Sequence, residues 1–291
     1  MPQPDLLILV NPRSGTASLR SRQRLVCTLH QLAEREGFTP RAVFTEHPGH
    51  ATELARKAAD AGLGRIVVVG GDGTLNEAAA ALRHSRTALA LVPLGSGNGL
   101  ARHLGVPLAP RQAAARAVQG RPVLIDSGQA NDRPFFCTAG VGFEAHVAHR
   151  FARQPRRGLA SYLGSAYTAL QTYQPRSYRI DGTPHTLFSL TAANAGQFGN
   201  NAWIAPQANV ADGLLDLAAL HPFPRAAAGW LAWRLFRKTL HQSPYLHTQR
   251  FRSVTVEGDG PLAIHLDGEP VTLPTDTLRI QVVPASLLVV L

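Results

Sequence analysis

Three short apolar runs constrain this chain most. Each ends in a polar loop containing glycine, and each loop is followed by a helical pattern. Leu6–Val10 runs into Asn11-Pro-Arg-Ser-Gly15, Ile66–Val69 into Gly70-Gly71-Asp72-Gly73-Thr74, and Ala88–Pro93 into Leu94-Gly-Ser-Gly-Asn-Gly99. Runs of this kind read as strands buried on both faces, and helices between them imply a parallel sheet. The segment from Ala17 to Glu36 carries Leu25, Leu29 and Leu32 at helical spacing, and Gly37 stops it. Ala42–Thr45 reads as a strand; Ala51–Ala61, Leu75–Leu82 and Gln112–Val118 read as helices.

The pattern changes near residue 122. Short alternating segments then dominate: Val123–Asp126, Phe135–Ala139, Tyr178–Ile180, Leu187–Ala193, Leu214–Leu220, Ser253–Glu257, Leu262–Leu266, Leu278–Val283 and Leu287–Val290. Turn residues separate them, which predicts a mainly antiparallel β-sandwich or barrel. Two stretches are helical, roughly Ala160–Thr172 and Ala226–Leu240. The expected organisation is an α/β nucleotide-binding domain over 1–122 and a β-sandwich domain over 123–291. The last roughly ten residues are able to return to the first domain.

Open parallel sheets bind ligands at the carboxyl ends of their strands. Glycines there allow positive φ and close approach of a ligand to the backbone. Thr74-Leu-Asn-Glu77 fits a capping box, which puts a helix N-terminus directly after the turn. That position suits phosphate, and a carboxylate beside phosphate, Asp72, implies an intervening Mg²⁺. A tight strand–helix connection capped by aspartate explains one such loop; three of them on one sheet edge argue for a ligand. The chain has no GxxxxGK[ST] and no GxGxxG, so it is neither a Walker-type NTPase nor a bearer of the dinucleotide fingerprint.

Composition narrows the class. The chain is 45% hydrophobic and 16% charged, as a globular protein is. Its net charge of +10 is nearly all arginine, with Lys57 and Lys238 the only lysines. That charge favours anionic partners, but no nucleic-acid recognition motif accompanies it. Cys27 and Cys137 are far apart and in no CxxC pattern, which argues against a disulfide framework or structural zinc. The twelve histidines show no HExxH or other metal spacing; His47, His50 and His103 near the loops are expected to be solvated or packed. The N-terminus lacks a basic region before Leu6–Val10, and no stretch approaches the roughly 18 apolar residues of a membrane span. A cytoplasmic, soluble protein is expected.

"LILVNPRSGTA", "RIVVVGGDGTLNEAAAAL", "LVPLGSGNGLARHLGVP", "APQANVADGLLDL" and "IHLDGEP" resemble the lipid kinases of the diacylglycerol-kinase catalytic family, sphingosine kinases included. The likeness covers almost the whole chain. It implies ATP with Mg²⁺, a lipid acceptor such as diacylglycerol or a sphingoid base, and an active site in the cleft between the domains. It implies that Gly70, Gly71, Asp72, Gly73, Thr74, Leu75, Asn76 and Ser96 hold the ATP phosphates, helped by Asn11, Ser14 and Gly15, with Thr45 at the nucleotide. Asp267 matches the general base, with Glu269 beside it, and Asp126 an acidic residue of the same network. Asp72 is a rival base. Asp212, with the backbone of Asn209 and Leu214, matches a structural or regulatory Mg²⁺ site. Read without the resemblance, Leu266-Asp-Gly-Glu-Pro270 is a hairpin turn. One departure stands out. Many bacterial members carry an aspartate where this chain has Gly99, and the Gly-Ser-Gly-Asn spelling is closer to sphingosine kinases. A kinase for a soluble hydroxyl compound and a non-catalytic nucleotide- or lipid-binding regulator are the alternatives.

A lipid kinase must reach a bilayer, and peripheral contact with the inner membrane surface is implied. Trp230, Trp233, Phe236 and Leu240 recur at helical spacing among Arg234, Arg237 and Lys238. The favoured expectation is a helix packing this aromatic face on the β-domain; the alternative is contact with anionic headgroups. Arg150, Arg153, Arg156 and Arg157 form a second basic cluster, read as a mobile loop. Exposed edges of the β-domain permit a homodimer.

Overall fold

The computed structural model describes residues 5–15, 18–154 and 159–291. The chain divides into two units, Met1–Ile125 with Ala285–Leu291, and Asp126–Pro284.

In the first unit the elements run β1 (Leu6–Val10), α1 (Leu19–Arg35), β2 (Pro40–Phe44), α2 (His50–Asp60), β3 (Arg65–Gly70), α3 (Asp72–Leu82), β4 (Ala88–Pro93), α4 (Gly99–His103) and α5 (Pro110–Gln119). The strands are parallel in the order β2-β1-β3-β4. β1, β3 and β4 are buried along their whole length, as a sheet covered on both faces requires. Leu6, Ile8, Val10, Val67, Val69, Ala90 and Val92 pack with Leu25, Leu29 and Ala33 of α1 and Ala113, Ala114 and Ala117 of α5. Leu7, Leu9, Ile66, Val68, Leu89 and Leu91 alternate to the other face and are also buried. There α3 touches β3 and β4. Full burial of each such Leu, Ile or Val is worth about 1.5–3 kcal/mol, which makes this sheet a firm mount for the loops at its edge. Ser18 caps α1, its Oγ accepting the Ser21 amide at 3.2 Å. Buried Arg65 donates to the carbonyls of Ala117, Val118 and Gly120, closing the end of α5.

β5 (Pro122–Ala130) carries the chain into the second unit. There follow β6 (Arg133–Phe135), β7 (Thr138–Gly142), α6 (Phe143–Ala152), α7 (Leu159–Thr172), β8 (Arg176–Ile180), β9 (Thr183–Leu187), β10 (Ser189–Ala193), β11 (Leu215–Leu220), α8 (Ala228–Phe236), β12 (Leu246–Phe251), β13 (Ser253–Glu257), β14 (Ala263–Leu266), β15 (Glu269–Thr272) and β16 (Thr277–Val290). One antiparallel sheet has the order β12-β11-β10-β7-β14-β15. Facing it, the first part of β16 pairs β13, β13 pairs β8, and β8 pairs β9. Their inner side chains share one core: Ala139, Val141, Leu190, Leu217 and Ile264 from the first sheet, and Tyr178, Leu187, Val254, Val256, Leu278 and Ile280 from the second. This is the expected antiparallel β-sandwich. The last residues of β16 return to the first unit, where Val289 pairs with Leu89 of β4.

Several local expectations need correction. Phe135–Ala139 is not one strand, because the chain breaks between β6 and β7 and turns its amides toward Asp267. The second unit has a further helix, α6, seated by the buried Ala145, Val147 and Ala148. Leu278–Val283 and Leu287–Val290 are one continuous strand. Among the described residues no helix is long and apolar enough to cross a membrane.

Candidate active site

Because β1, β3 and β4 are adjacent and parallel, their three following loops leave the same edge of the sheet. Side chains tie them together. Asn11 Nδ2 donates to Thr74 Oγ1 at 2.7 Å, and the Gly71 amide donates to Ser14 Oγ at 3.1 Å. Buried Arg22 of α1 donates to the Ser14 carbonyl and fixes the first loop from behind. Asp72 fastens the third loop to the second: its Oδ2 accepts the Asn98 amide at 2.7 Å and its Oδ1 the Gly99 amide at 2.8 Å. Asn98 Nδ2 donates to the Gly95 carbonyl at 2.8 Å, and Arg102 Nε to that of Gly97 at 3.0 Å. The Thr45 amide donates to the Val10 carbonyl, which places Thr45 beside the end of β1. Ser96 lies within the third loop.

The glycines follow from this packing. A Cβ on Gly95 would stand 2.7 Å from the Gly71 Cα, and one on Gly97 2.8 Å from Asp72 Oδ2. Gly15 has φ +62°, and a Cβ there would strike the Leu94 carbonyl. Gly73 differs, with nothing within 4 Å of its Cβ position. The α3 N-terminus also differs from expectation. Its N-cap is Gly71, with no side-chain cap hydrogen bond. The predicted capping box does not form, because Thr74 lies inside the first turn and bonds Asn11, while Glu77 Oε2 accepts the Ala51 amide at 3.3 Å. A helix start without a side-chain cap, with open space over Gly73, fits phosphate oxygens. Leu75 is buried under this turn. Burial pushes the Asp72 carboxyl above its usual pKa, against the pull of the Asn98, Gly99 and Asp72 amides and of Arg102.

In the second unit, Asp267 and Gly268 form the turn of the β14–β15 hairpin, with φ of 50° and 84°. Two left-handed residues are what a two-residue hairpin loop of this twist demands. The carboxylate does more than turn the chain. Oδ2 accepts the Phe136 amide at 2.9 Å, and Oδ1 accepts those of Cys137 and Thr138 at 2.7 and 2.9 Å. Asn194 Nδ2 bridges the carbonyls of Phe136 and Asp126 at 2.9 and 3.0 Å. Asp126 Oδ2 accepts the Gly213 amide at 2.7 Å. Asp267, Asp126 and the 209–214 loop thus share one hydrogen-bonded chain, while Glu269 is exposed at the start of β15.

The 209–214 loop is braced by its own polar groups. Asn209 Oδ1 accepts the Ala211 amide, and Asp212 Oδ1 that of Leu214, both at 3.1 Å. Asp212 Oδ2 faces the Arg250 guanidinium at 3.8 Å. Among the described residues, the group with ligand atoms close enough to share a metal is His47, His50 and Glu53, within 4.8 Å, a proximity not anticipated. Its two rings stack at 4.7 Å, and the His50 Nδ1 already accepts the Glu46 amide.

Arg22, Asn98, Asn194 and Arg102 were missed by sequence reasoning. Each acts on backbone groups, which leaves no spacing pattern; a polar residue beside a glycine loop or at a strand end was the only signal. The aromatic helix also departs from expectation. Trp230, Trp233 and Phe236 of α8 are exposed, while Leu231 and the later Leu240 are buried. Arg156 and Arg157 lie outside the described residues.

Comparison with known proteins agrees with both units. Residues 5–130 match the diacylglycerol kinase catalytic domain, and residues 137–291 match the YegS C-terminal NAD kinase beta sandwich-like domain. A probable lipid kinase YegS-like protein of Pseudomonas aeruginosa is 33% identical over 97% of this chain and 92% of its own length. One of Pseudomonas putida is 35% identical over 84% of this chain and 82% of its own. The crystal structure of a diacylglycerol kinase from Bacillus anthracis superposes with TM-score 0.75 at 20% identity, over 100% of this chain and 97% of that one, a likeness of fold. The chain belongs to the diacylglycerol-kinase catalytic family.

Proposed function

We propose that this chain is an ATP-dependent lipid kinase, transferring the γ-phosphoryl group of ATP to a hydroxyl of a lipid such as a diacylglycerol or a sphingoid base. The observation that carries the reading is the three-loop edge of the parallel sheet, with its uncapped α3 start and open space over Gly73, in a chain whose relatives are named lipid kinases. Phosphoryl transfer asks mainly for positioning and charge stabilisation. The amides of Gly70–Asn76, with Ser96, Asn11, Ser14 and Gly15, position the phosphates, and Thr45 borders the nucleotide. Mg²⁺ bound with the nucleotide supplies charge neutralisation on the phosphate oxygens. Asp267 takes the proton of the acceptor hydroxyl. The hydroxyl oxygen bonds the γ-phosphorus as the bond to the β,γ-bridging oxygen breaks, leaving ADP.

The test is label transfer from γ-labelled ATP with Mg²⁺. Total lipid extract in mixed micelles is one acceptor pool, and soluble metabolites are the other. Label in the organic phase is expected, and chromatography of that product names the acceptor. Label confined to the aqueous pool replaces the reading with a small-molecule kinase. Bound ATP with no transfer replaces it with a regulator.

A further inference from the structure

We propose that the outer face of α8 is a docking surface for an anionic lipid bilayer. The excursion carrying α8 leaves the sheet after β11 and returns at β12, closed at its base by the His221 amide donating to the Tyr245 carbonyl at 2.8 Å. Leu231 is buried and Leu235 partly buried in a cluster with Tyr173, Phe188, Ile204 and Leu240. At about 100° per residue, Trp230, Trp233 and Phe236 lie on the opposite side. They are 41%, 55% and 40% exposed. A soluble surface seldom leaves three large apolar rings along one helix face without a partner.

The cations name the partner. Arg234 stands over the Trp230 ring at 4.5 Å and Arg237 over the Trp233 ring at 5.7 Å. Lys238 Nζ lies 3.9 Å from the Trp203 ring centre. From Leu217 to Val256 the sequence holds six lysines and arginines (Arg225, Arg234, Arg237, Lys238, Arg250 and Arg252) and no aspartate or glutamate. Aromatic rings entering the acyl boundary with guanidinium groups at the phosphates is the arrangement of an interfacial helix. A second copy of the chain would bring Arg225, Arg234, Arg237 and Lys238 to a symmetric contact, where like charges repel. The proposal rests on the lipid-kinase reading for the reason a bilayer is met, but its test needs no turnover.

That test is sedimentation of the full chain with vesicles of phosphatidylcholine alone and of phosphatidylcholine mixed with phosphatidylglycerol. The wild type is expected to bind the mixed vesicles, more weakly as salt rises. Trp230→Ala with Trp233→Ala should lower partitioning at least about tenfold, because two interfacial rings are lost. Arg237→Gln with Lys238→Gln, both exposed, should erase the preference for the anionic vesicles. Both variants should keep wild-type melting temperatures, and the same transfer rate to a short-chain acceptor in solution. Equal binding by wild type and tryptophan variant overturns the proposal. So does a wild-type dimer that the tryptophan variant dissolves. Vesicle binding without transfer in any variant leaves the docking surface intact and removes the kinase reading instead.

Discussion

Asp72 and Asp267 use their carboxylates in nearly the same way, one in each unit. Each gathers backbone amides from a neighbouring loop, those of Asn98 and Gly99 for Asp72 and those of Phe136, Cys137 and Thr138 for Asp267. Their surroundings differ. Asp72 lies in the first turn of α3, half-buried, and desolvation is the largest cause of its raised pKa. Asp267 occupies the tip of a hairpin, half-buried, with exposed Gly268 and Glu269 beside it. Both are half-buried; a clasp at a helix start between two loops holds a shape, while a clasp at a hairpin tip beside exposed residues is both held and reachable. The proposed division, loop geometry for Asp72 and proton acceptance for Asp267, rests on that contrast.

The strongest test of the contrast is Asp267→Asn. Transfer from labelled ATP should fall by about 10²–10⁴, the range for loss of a general base, with nucleotide affinity within a few fold. An unchanged rate would hand the role to Asp72. Asp72→Asn should act the other way. It presents a donor to one of the two loop amides, so thermal melts should show a loss of about 1–3 kcal/mol and titration calorimetry a weaker nucleotide. Undiminished nucleotide binding would break the loop-clasp account.

Gly95→Ala and Gly73→Ala sharpen it further. The first forces a methyl toward the Gly71 backbone and should destabilise by about 1–3 kcal/mol. The second meets open space, so stability should hold while nucleotide affinity drops. Equal affinity in Gly73→Ala would place the phosphates elsewhere.

The smallest effect concerns titration in the second unit. Glu144 is half-buried with its carboxyl enclosed, accepting the Ser189 hydroxyl at 3.0 Å, and desolvation raises its pKa from 4.5 to about 7. Between those values the folded chain keeps a proton that the unfolded chain has lost, so stability falls as pH rises. Buried His265 does the opposite. Its pKa is lowered from 6.5 to about 4, so over that range the unfolded chain holds the extra proton and stability rises with pH. The two slopes offset each other where the windows overlap. Glu144→Gln should uncover the rising slope and melt a few degrees higher than wild type near pH 8. Superimposable pH profiles would show that Glu144 does not titrate as its burial requires.

The parallel sheet and its three loops were legible because β-branched runs and glycine punctuation are local signals. Other features depend on distant partners. The break at Phe136–Cys137 is set by Asp267, 130 residues further on. β12 escaped notice because its residues His247–Arg250 are exposed and show no alternation. The helical period of α8 was readable, but periodicity does not say which face meets the core; Leu231 and Leu235 took that place from the tryptophans. Of the candidate site, the loop glycines were readable and their asparagine and arginine fasteners were not.

The return of β16 to the first unit has a consequence for synthesis. Residues 285–291 belong to a fold whose other members end at Ile125. Leu287, Val289 and Val290 are buried there, and Arg121 and Leu291 exchange backbone hydrogen bonds at 2.9 and 3.0 Å. A ribosome delivers this unit's first 125 residues early, yet its final pieces emerge only after the whole intervening β-sandwich has been made. The parallel unit therefore cannot be completed until residues 285–291 have been made, and a chain cut just before Ala285 should retain the β-sandwich core with an incomplete parallel sheet.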